Sequence, residues 1–189
     1  IGVRPISLLV DISNFVLHEV GQPLHFFDAD KVAGGEIHIE KLPEGTQFTT
    51  LDGVERKLNG REIMICDARH NPLCMAGIFG GAESGVSDTT THIFIESANF
   101  NSTSVRKAAR AHALNTDSSF RFERGLDPAA TSYALRRAVA LLQELAGGKV
   151  VGEVIDCRQM PVEHPVCSLR RSRLTQTIGA EIPDEEVLR

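Results

Sequence analysis

The spacing of hydrophobic residues changes twice along the chain, and this change constrains the fold more than any other feature. After Pro5, apolar residues recur at helical intervals up to Gly21, where the pattern ends. Residues 36–97 instead alternate apolar and polar side chains in short runs, as β-strands do. Helical spacing returns after Asn101 and lasts to about residue 148. Helices and strands that occupy separate stretches predict an α+β fold, a mixed β-sheet with helices packed on it.

Local signals divide the chain further. Asp52-Gly53 is a two-residue hairpin signal between strands predicted over residues 47–51 and 54–58. Asp127-Pro128 is predicted to open a long helix, with Asp127 as its cap. Further strands are predicted over residues 37–40, 63–66, 73–76, 92–97 and 150–155, whereas residues 24–28, 77–81 and 115–119 are predicted to be irregular.

The end of the chain is expected to be a separate unit. Residues 1–160 are predicted to form one domain, and Pro161 and Pro165 mark a linker within residues 161–189. Helices predicted over residues 169–178 and from residue 183 are too few to bury their apolar faces alone. The chain begins with Ile1 and shows no signal-peptide pattern, so we interpret it as a piece of a longer protein.

Composition narrows the class of protein. Hydrophobic residues make up 42% of the chain, enough for a buried core, and no run of 18 apolar residues could span a membrane. The net charge of −5 argues against a general polyanion-binding surface but leaves room for a local basic patch. The four cysteines form no CxxC pair, so we predict reduced thiols in a cytoplasmic protein and no metal site.

Two single side chains are candidates for chemistry. His25 lies in a loop after a Gln-Pro pair and between apolar residues, although lone histidines are more often structural. Glu96 ends the run Ile93-Phe94-Ile95, and strand alternation would place it on the face opposite Ile93 and Ile95. A buried carboxylate is costly unless something satisfies it, so Glu96 is either a site residue or simply a strand end at the surface.

Three clusters allow both a functional and a structural interpretation. Gly80-Gly81 could cradle a phosphate, but the P-loop Lys and Ser/Thr are missing, which favours a close approach of backbone. Residues 116–119 could supply pocket hydroxyls or form a cap and turn. The basic residues around them could contact phosphates or form a solvated helix face; the candidates are Arg106, Arg110, Arg121 and Arg124.

Three long strings carry a family resemblance. Residues 4–28, 76–88 and 120–128 resemble, in the right order, the central B3/B4 region of the bacterial phenylalanyl-tRNA synthetase β subunit. The resemblance covers about residues 3–157. The tail from about Val166 resembles the beginning of the next β-subunit module, B5, which is cut short here.

The resemblance implies a place in a larger enzyme. Members of this family act in an (αβ)2 heterotetramer that charges tRNA(Phe) with phenylalanine, using ATP and Mg2+. The charging site belongs to the α subunit and the β-subunit magnesium ligands lie beyond Arg189, so this fragment is expected to use no cofactor. The B3/B4 region of the family removes tyrosine from mischarged tRNA; the alternative is a non-catalytic, RNA-contacting scaffold.

Site residues transfer from the family by motif. His25 and Thr116 match its catalytic positions, and Glu96 matches its strand-end glutamate, which is expected to bind the substrate with Gly80, Gly81 and Ser118. Ser118 replaces the family's usual alanine, and Ala113 stands where glycine is frequent. Weaker contacts with tRNA are expected from Arg106, Arg110, Arg121 and Arg124.

Overall fold

The computed structural model describes residues 2–158 and 166–188. The chain forms two compact units, Ile1–Val154 and Ile155–Arg189. The predicted boundary at residues 160 and 161, together with Pro161 and Pro165, lies outside the described residues. Each unit is considered by itself below.

The described part of the first unit has four α-helices, α1 (Leu8–Val20), α2 (Ser102–Ala111), α3 (Asp117–Phe122) and α4 (Ala130–Ala146), and two short 3-10 helices at Ala29–Lys31 and Ala33–Gly35. The predicted first helix is confirmed. Ser7 caps it, because its hydroxyl accepts a hydrogen bond from the Val10 amide, and Gly21 ends it with a φ of 77°, which glycine adopts without strain. The N-cap of α4 is Ala129, two residues beyond the predicted cap; Asp127 instead accepts a hydrogen bond from the Ala129 amide.

Eight strands complete this unit. They are β1 (His25–Asp28), β2 (His38–Glu40), β3 (Gln47–Thr49), β4 (Glu55–Lys57), β5 (Met64–Cys66), β6 (Pro72–Met75), β7 (Phe79–Gly80) and β8 (Ile93–Glu96). They form three sheets, with strand orders β1-β8, β2-β5-β6-β7 and β3-β4. The α+β prediction is confirmed, and the pairings are antiparallel in all three sheets, where the sequence had indicated a mixed sheet.

Four further local predictions were wrong, each for a physical reason. Residues 25–28, expected to be a loop, form β1 because a distant partner, β8, supplies the hydrogen bonds. Residues 77–81, predicted to be irregular, contain β7, which pairs with β6. Residues 117–119 start α3, since Thr116 and Ser119 form a reciprocal capping box. No strand forms at residues 150–155, where Val151 is 90% exposed and finds no sheet to join.

Two apolar layers supply residues to the region that becomes the candidate site, Leu24 from one and Ile78 and Phe122 from the other. In one layer, α1 packs on α4, and Val16, Ala134 and Ala138 are fully buried beside Phe26 of β1. Ile93 and Ile95 pack against this layer from one face of β8, as strand alternation predicted. In the other, α2 and α3 cover the four-stranded sheet with a cluster of buried residues: Met64, Met75, Val105 and Phe122. Each such large side chain contributes about 1.5–3 kcal/mol on burial.

The second unit contains two short helices, α5 (Arg171–Ile178) and α6 (Asp184–Val187). Both predicted helices are confirmed. Arg171 joins them by hydrogen bonding to the Ile182 carbonyl and pairing with Asp184. Within the parts of the chain that the structure describes, no helix combines the length and apolar character needed to cross a membrane.

Candidate functional site

A cavity of about 270 Å3 lies in the first unit. Its walls come from α1, the β1–β8 pair, the tip of the β3–β4 hairpin, the turn before β7, and the start of α3. The lining residues are Ser13, Asn14, Leu17, Pro23, Leu24, His25, Leu51, Cys74, Gly77, Ile78, Phe79, Gly80, Glu96, Thr116, Asp117, Ser118 and Phe122. The cavity therefore brings together five of the predicted site residues: His25, Gly80, Glu96, Thr116 and Ser118.

His25 and Glu96 are directly opposite each other across the β1–β8 ladder. Directly opposed residues of an antiparallel pair project their side chains from the same face. The imidazole and the carboxyl group therefore enter the cavity side by side, although 70 intervening residues separate them in the chain (residues 26–95). The loop predicted for His25 would not have produced this alignment.

Glu96 is a carboxyl group in a site that disfavours charge. Burial raises its pKa from an ordinary 4.5 to about 8, and no hydrogen bond from the described residues opposes this shift. At neutral pH the group is therefore largely protonated, able both to donate and to accept a hydrogen bond. Burial raises the pKa of the neighbouring Cys74 thiol well above its usual range, and Glu96 raises it further, so Cys74 is a neutral thiol in the cavity wall.

His25 is held by aromatic packing more than by polar contacts. Its ring meets Phe27 edge to face at 4.4 Å between centroids. Its Nε2 atom is buried and has no hydrogen-bond partner among the described residues. Burial lowers the pKa of His25 to about 4, so the imidazole is neutral at physiological pH.

The glycine pair next to the cavity allows close packing. A Cβ atom on Gly80 would lie 2.7 Å from His25 Cε1 and 2.9 Å from Leu51 Cδ1, so only glycine lets both side chains approach this strand. A Cβ on Gly81 would lie 2.6 Å from the Leu73 carbonyl oxygen. Gly81 does not line the cavity; it lets the hairpin pack beside β6. The close-approach interpretation of the pair is the one this geometry supports.

The hydroxyl groups at the start of α3 are already engaged. Thr116 Oγ1 donates to the Ile78 carbonyl at 2.8 Å and accepts from the Ser119 amide at 3.0 Å. Ser118 Oγ donates to the Gly77 carbonyl at 3.1 Å, which satisfies the hydroxyl that an alanine would lack. Both side chains tie α3 to the turn before β7 and so fix this wall of the cavity.

The candidate arginines do not line the cavity. Arg121 pairs with Asp117 at 3.2 Å, and Arg124 pairs with Glu123 at 2.7 Å while stacking over the Phe120 ring. Their charges are therefore largely matched by neighbouring carboxylates. Arg106 and Arg110 are exposed on α2 and form no ion pair among the described residues.

Metal ligation has no geometric basis in the part of the chain that the structure describes, where no group of three or more His, Cys, Asp or Glu side chains could hold an ion. Cys66 and Cys74 are buried, and Cys157 and Cys167 are exposed.

Comparison with known proteins places the fold and the cavity in context. The sequence model of the B3/4 domain matches residues 1–147, which include every cavity residue. The chain belongs to the B3/4 domain family.

The relatives of this B3/4 domain are proteins much longer than this chain. The chain is 54% identical to the phenylalanine–tRNA ligase β subunit of Porphyromonas gingivalis and 50% identical to that of Bacteroides fragilis, over 99% of its own length and 23% of theirs. The chain thus spans about a quarter of the relatives that it matches. An N-terminal fragment of the phenylalanyl-tRNA synthetase β subunit from Pyrococcus horikoshii shares the fold, with a TM-score of 0.56 and 17% identity over 95% of this chain and 52% of that one.

Several cavity residues of this B3/4 domain escaped the sequence interpretation. Ser13 and Asn14 lie on the polar side of α1, where they read as ordinary surface residues. Leu51 sits at a hairpin tip and Cys74 inside an apolar strand. Only tertiary packing brings these positions together, and periodicity within one element carries no signal for it.

Proposed function

We propose that this chain is the editing region of a phenylalanine–tRNA ligase β subunit and that its cavity hydrolyses the ester bond of tyrosyl-tRNA(Phe). Residues 1–160 form the editing domain, and residues 161–189 form a linker and the start of the B5 module. The whole enzyme is a cytoplasmic (αβ)2 heterotetramer with the α subunit and tRNA(Phe), and ATP and Mg2+ serve its charging reaction. The observation that carries the proposal is the alignment of His25 and Glu96 in one cavity.

Glu96 can distinguish tyrosine from phenylalanine, which differ by one hydroxyl. An aminoacylation site that rejects the extra hydroxyl by packing alone discriminates against tyrosine only about 10²-fold. A second site that requires the hydroxyl therefore improves accuracy. The protonated Glu96 carboxyl group can exchange a hydrogen bond with the tyrosine phenol. With phenylalanine it would remain buried and unpaired, at a cost of about 1–3 kcal/mol.

The hydrolytic step needs a positioned water molecule. The ester of an aminoacyl-tRNA is already reactive, so holding water near its carbonyl carbon supplies much of the rate. His25, whose low pKa makes it a weak base, orients this water or the terminal ribose as a neutral hydrogen-bonding group. Thr116 contributes by holding the α3 wall, since its proton is donated to Ile78. Gly80 gives the His25 ring the space that it occupies, and Gly81 seats the hairpin.

Contact with the tRNA body is assigned to α2. Arg106 and Arg110 are exposed there and lack acidic partners among the described residues, which suits phosphate binding. Arg121 and Arg124 are paired with carboxylates, so they contribute less to this contact.

The test is deacylation of tyrosyl-tRNA(Phe) by the assembled ligase carrying Glu96→Ala. We expect clearance of tyrosine to fall by about tenfold or more, corresponding to the loss of a buried hydrogen bond. Glu83→Ala, at an exposed glutamate outside the cavity, is the matched control and should clear tyrosine at the wild-type rate. Equal clearance by the wild type and Glu96→Ala would refute the role of Glu96.

A non-catalytic scaffold is the second candidate, favoured by one observation. The hydroxyls of Thr116 and Ser118 are bonded to backbone carbonyls, as purely structural side chains would be. A scaffold predicts that the wild-type ligase leaves tyrosyl-tRNA(Phe) intact while still charging tRNA with phenylalanine.

A further inference from the structure

Arg56 of β4 connects its own β3–β4 hairpin with the end of α2, although it lies outside the cavity. Its Nε donates to Thr50 Oγ1 at 3.0 Å, its Nη1 to the His112 carbonyl at 3.0 Å, and its Nη2 to Asp52 Oδ2 at 2.9 Å. Only 15% of the side chain is exposed. The planar guanidinium thus uses separate nitrogens to bind the β3–β4 hairpin and the end of α2 at the same time.

The hairpin side of this contact supports one cavity wall. Thr50 is fully buried, and its hydroxyl also donates to Asp52 Oδ1 at 2.5 Å. The next residue, Leu51, lines the cavity, and its amide donates to the Gly80 carbonyl at 3.0 Å. Arg56 therefore holds the residues that flank Leu51 on both sides.

The α2 side of the contact leads to a second wall of the cavity, the start of α3. His112 is the C-cap of α2, and its Nε2 lies 2.6 Å from Glu62 Oε1 in a buried pair. Ala113 then turns the chain with a φ of 52°, in the left-handed region, toward Thr116 and the start of α3. Arg56 fixes the carbonyl from which this turn begins.

We propose that Arg56 is a positioning residue that holds the Leu51 wall and the α3 wall at a fixed separation and thereby sets the tyrosine-over-phenylalanine selectivity of the cavity. The inference rests on the proposed editing function, because selectivity has meaning only for an aminoacyl ligand. Glu96 gains from the tyrosine hydroxyl only if these two walls hold the ring in one position. Lysine in place of Arg56 keeps the charge but cannot present three donors in a fixed plane.

The first test is amide hydrogen exchange of the assembled ligase with Arg56→Lys. Loss of bonds on both sides should raise exchange in both walls, residues 50–54 and 112–119, by about fivefold or more. Asp52→Ala, a milder change at an exposed residue that removes one of the three partners of Arg56, should act in the same direction. Arg137→Lys is the matched control, because Arg137 forms a bidentate pair with Glu19 elsewhere on the domain. Faster exchange confined to the hairpin would overturn the proposal.

The second test compares binding of two non-hydrolysable probes, 3′-tyrosylamino- and 3′-phenylalanylamino-3′-deoxyadenosine, by calorimetry. We expect Arg56→Lys to lower the ratio of the two affinities by roughly tenfold, since displacement by about 1 Å can cost on the order of 10²-fold. A general loss of folded protein would reduce active sites but leave that ratio unchanged, and an unchanged ratio overturns the proposal. If the wild type shows no preference for the tyrosyl probe, the proposed editing function fails, and the selectivity role of Arg56 fails with it. The exchange experiment still decides separately whether Arg56 joins the two walls.

Discussion

Replacing Glu96 with glutamine tests the electrostatic character of the cavity. The folded protein holds this carboxyl group at a pKa of about 8, against an ordinary 4.5. Between these two pH values the unfolded chain has released a proton that the folded chain still binds. The free energy of unfolding therefore falls as pH rises through this window, at up to about 1.4 kcal/mol per pH unit. Glutamine has a similar shape and no proton to lose, so Glu96→Gln should lack this decline.

The titration of His25 limits the pH range in which the effect of Glu96 on stability can be measured by itself. Its folded pKa of about 4 lies below its ordinary 6.5, so its contribution to stability is lost as pH falls from 6.5 toward 4. Within that range the two groups act in opposite directions. From pH 6.5 to 8 Glu96 is the main contributor of the two, and the stability of Glu96→Gln relative to the wild type should rise by about 1.5 kcal/mol.

The assay is equilibrium unfolding in urea at several pH values from 6.5 to 8. The 189-residue chain, its Glu96→Gln variant and a control, Glu83→Gln at an exposed position, would be measured together. The control should follow the wild type. Parallel pH profiles for the wild type and Glu96→Gln would refute the conclusion that the cavity keeps this carboxyl group protonated.

Three further predictions concern the frame around the cavity. Gly80→Ala should lower the free energy of unfolding by about 1–3 kcal/mol, since its Cβ would lie 2.7 Å from His25 Cε1. Gly148→Ala is the control, because its Cβ would meet atoms no nearer than 3.4 Å and the free energy of unfolding should change little. Equal urea midpoints for the two variants would contradict this prediction. Ala113→Gly should raise the melting temperature, by relief of up to about 1 kcal/mol of left-handed strain, and a lower melting temperature would count against that strain. Burial would raise the pKa of Glu62, but hydrogen bonds from His112 and backbone amides hold this pKa below its ordinary value. Glu62→Gln should therefore be less stable than the wild type at pH 7, and the difference in stability should shrink as pH falls below about 4. A difference that does not depend on pH would show that the charge is unimportant.

The elements that could be predicted from sequence are those whose signals are local. Helix α1 combined a long helical period with Gly21 at its end, and the β3–β4 hairpin had Asp52-Gly53 at its turn. By contrast, β1 follows Pro23 and depends on hydrogen bonds from a strand that begins at residue 93. Helix α3 begins in a Ser- and Asp-rich stretch that is typical of turns, and only its capping box shows that it is helical.

Residues of the candidate site could be predicted with a role only where a family motif identified them. Residue patterns gave His25 and Glu96 as separate possibilities, and no spacing rule could place them across one ladder. The arginines near α3 looked like the best phosphate contacts because they are dense in sequence. Arg121 and Arg124 are instead matched by Asp117 and Glu123, a pairing that needs rotamers and helix geometry to become visible.

The β1–β8 ladder has a consequence for how the protein folds. Six strands, β2–β7, lie between its two members in the chain, so the ladder closes a long loop. Closing such a loop costs entropy before any of its contacts form, and contacts of high sequence separation slow folding. His25 and Glu96 should therefore meet late, after the intervening sheets have shortened the path between them. In a nascent chain every strand of the four-stranded sheet precedes β8, so the cavity can form only after all the strands of that sheet have been made.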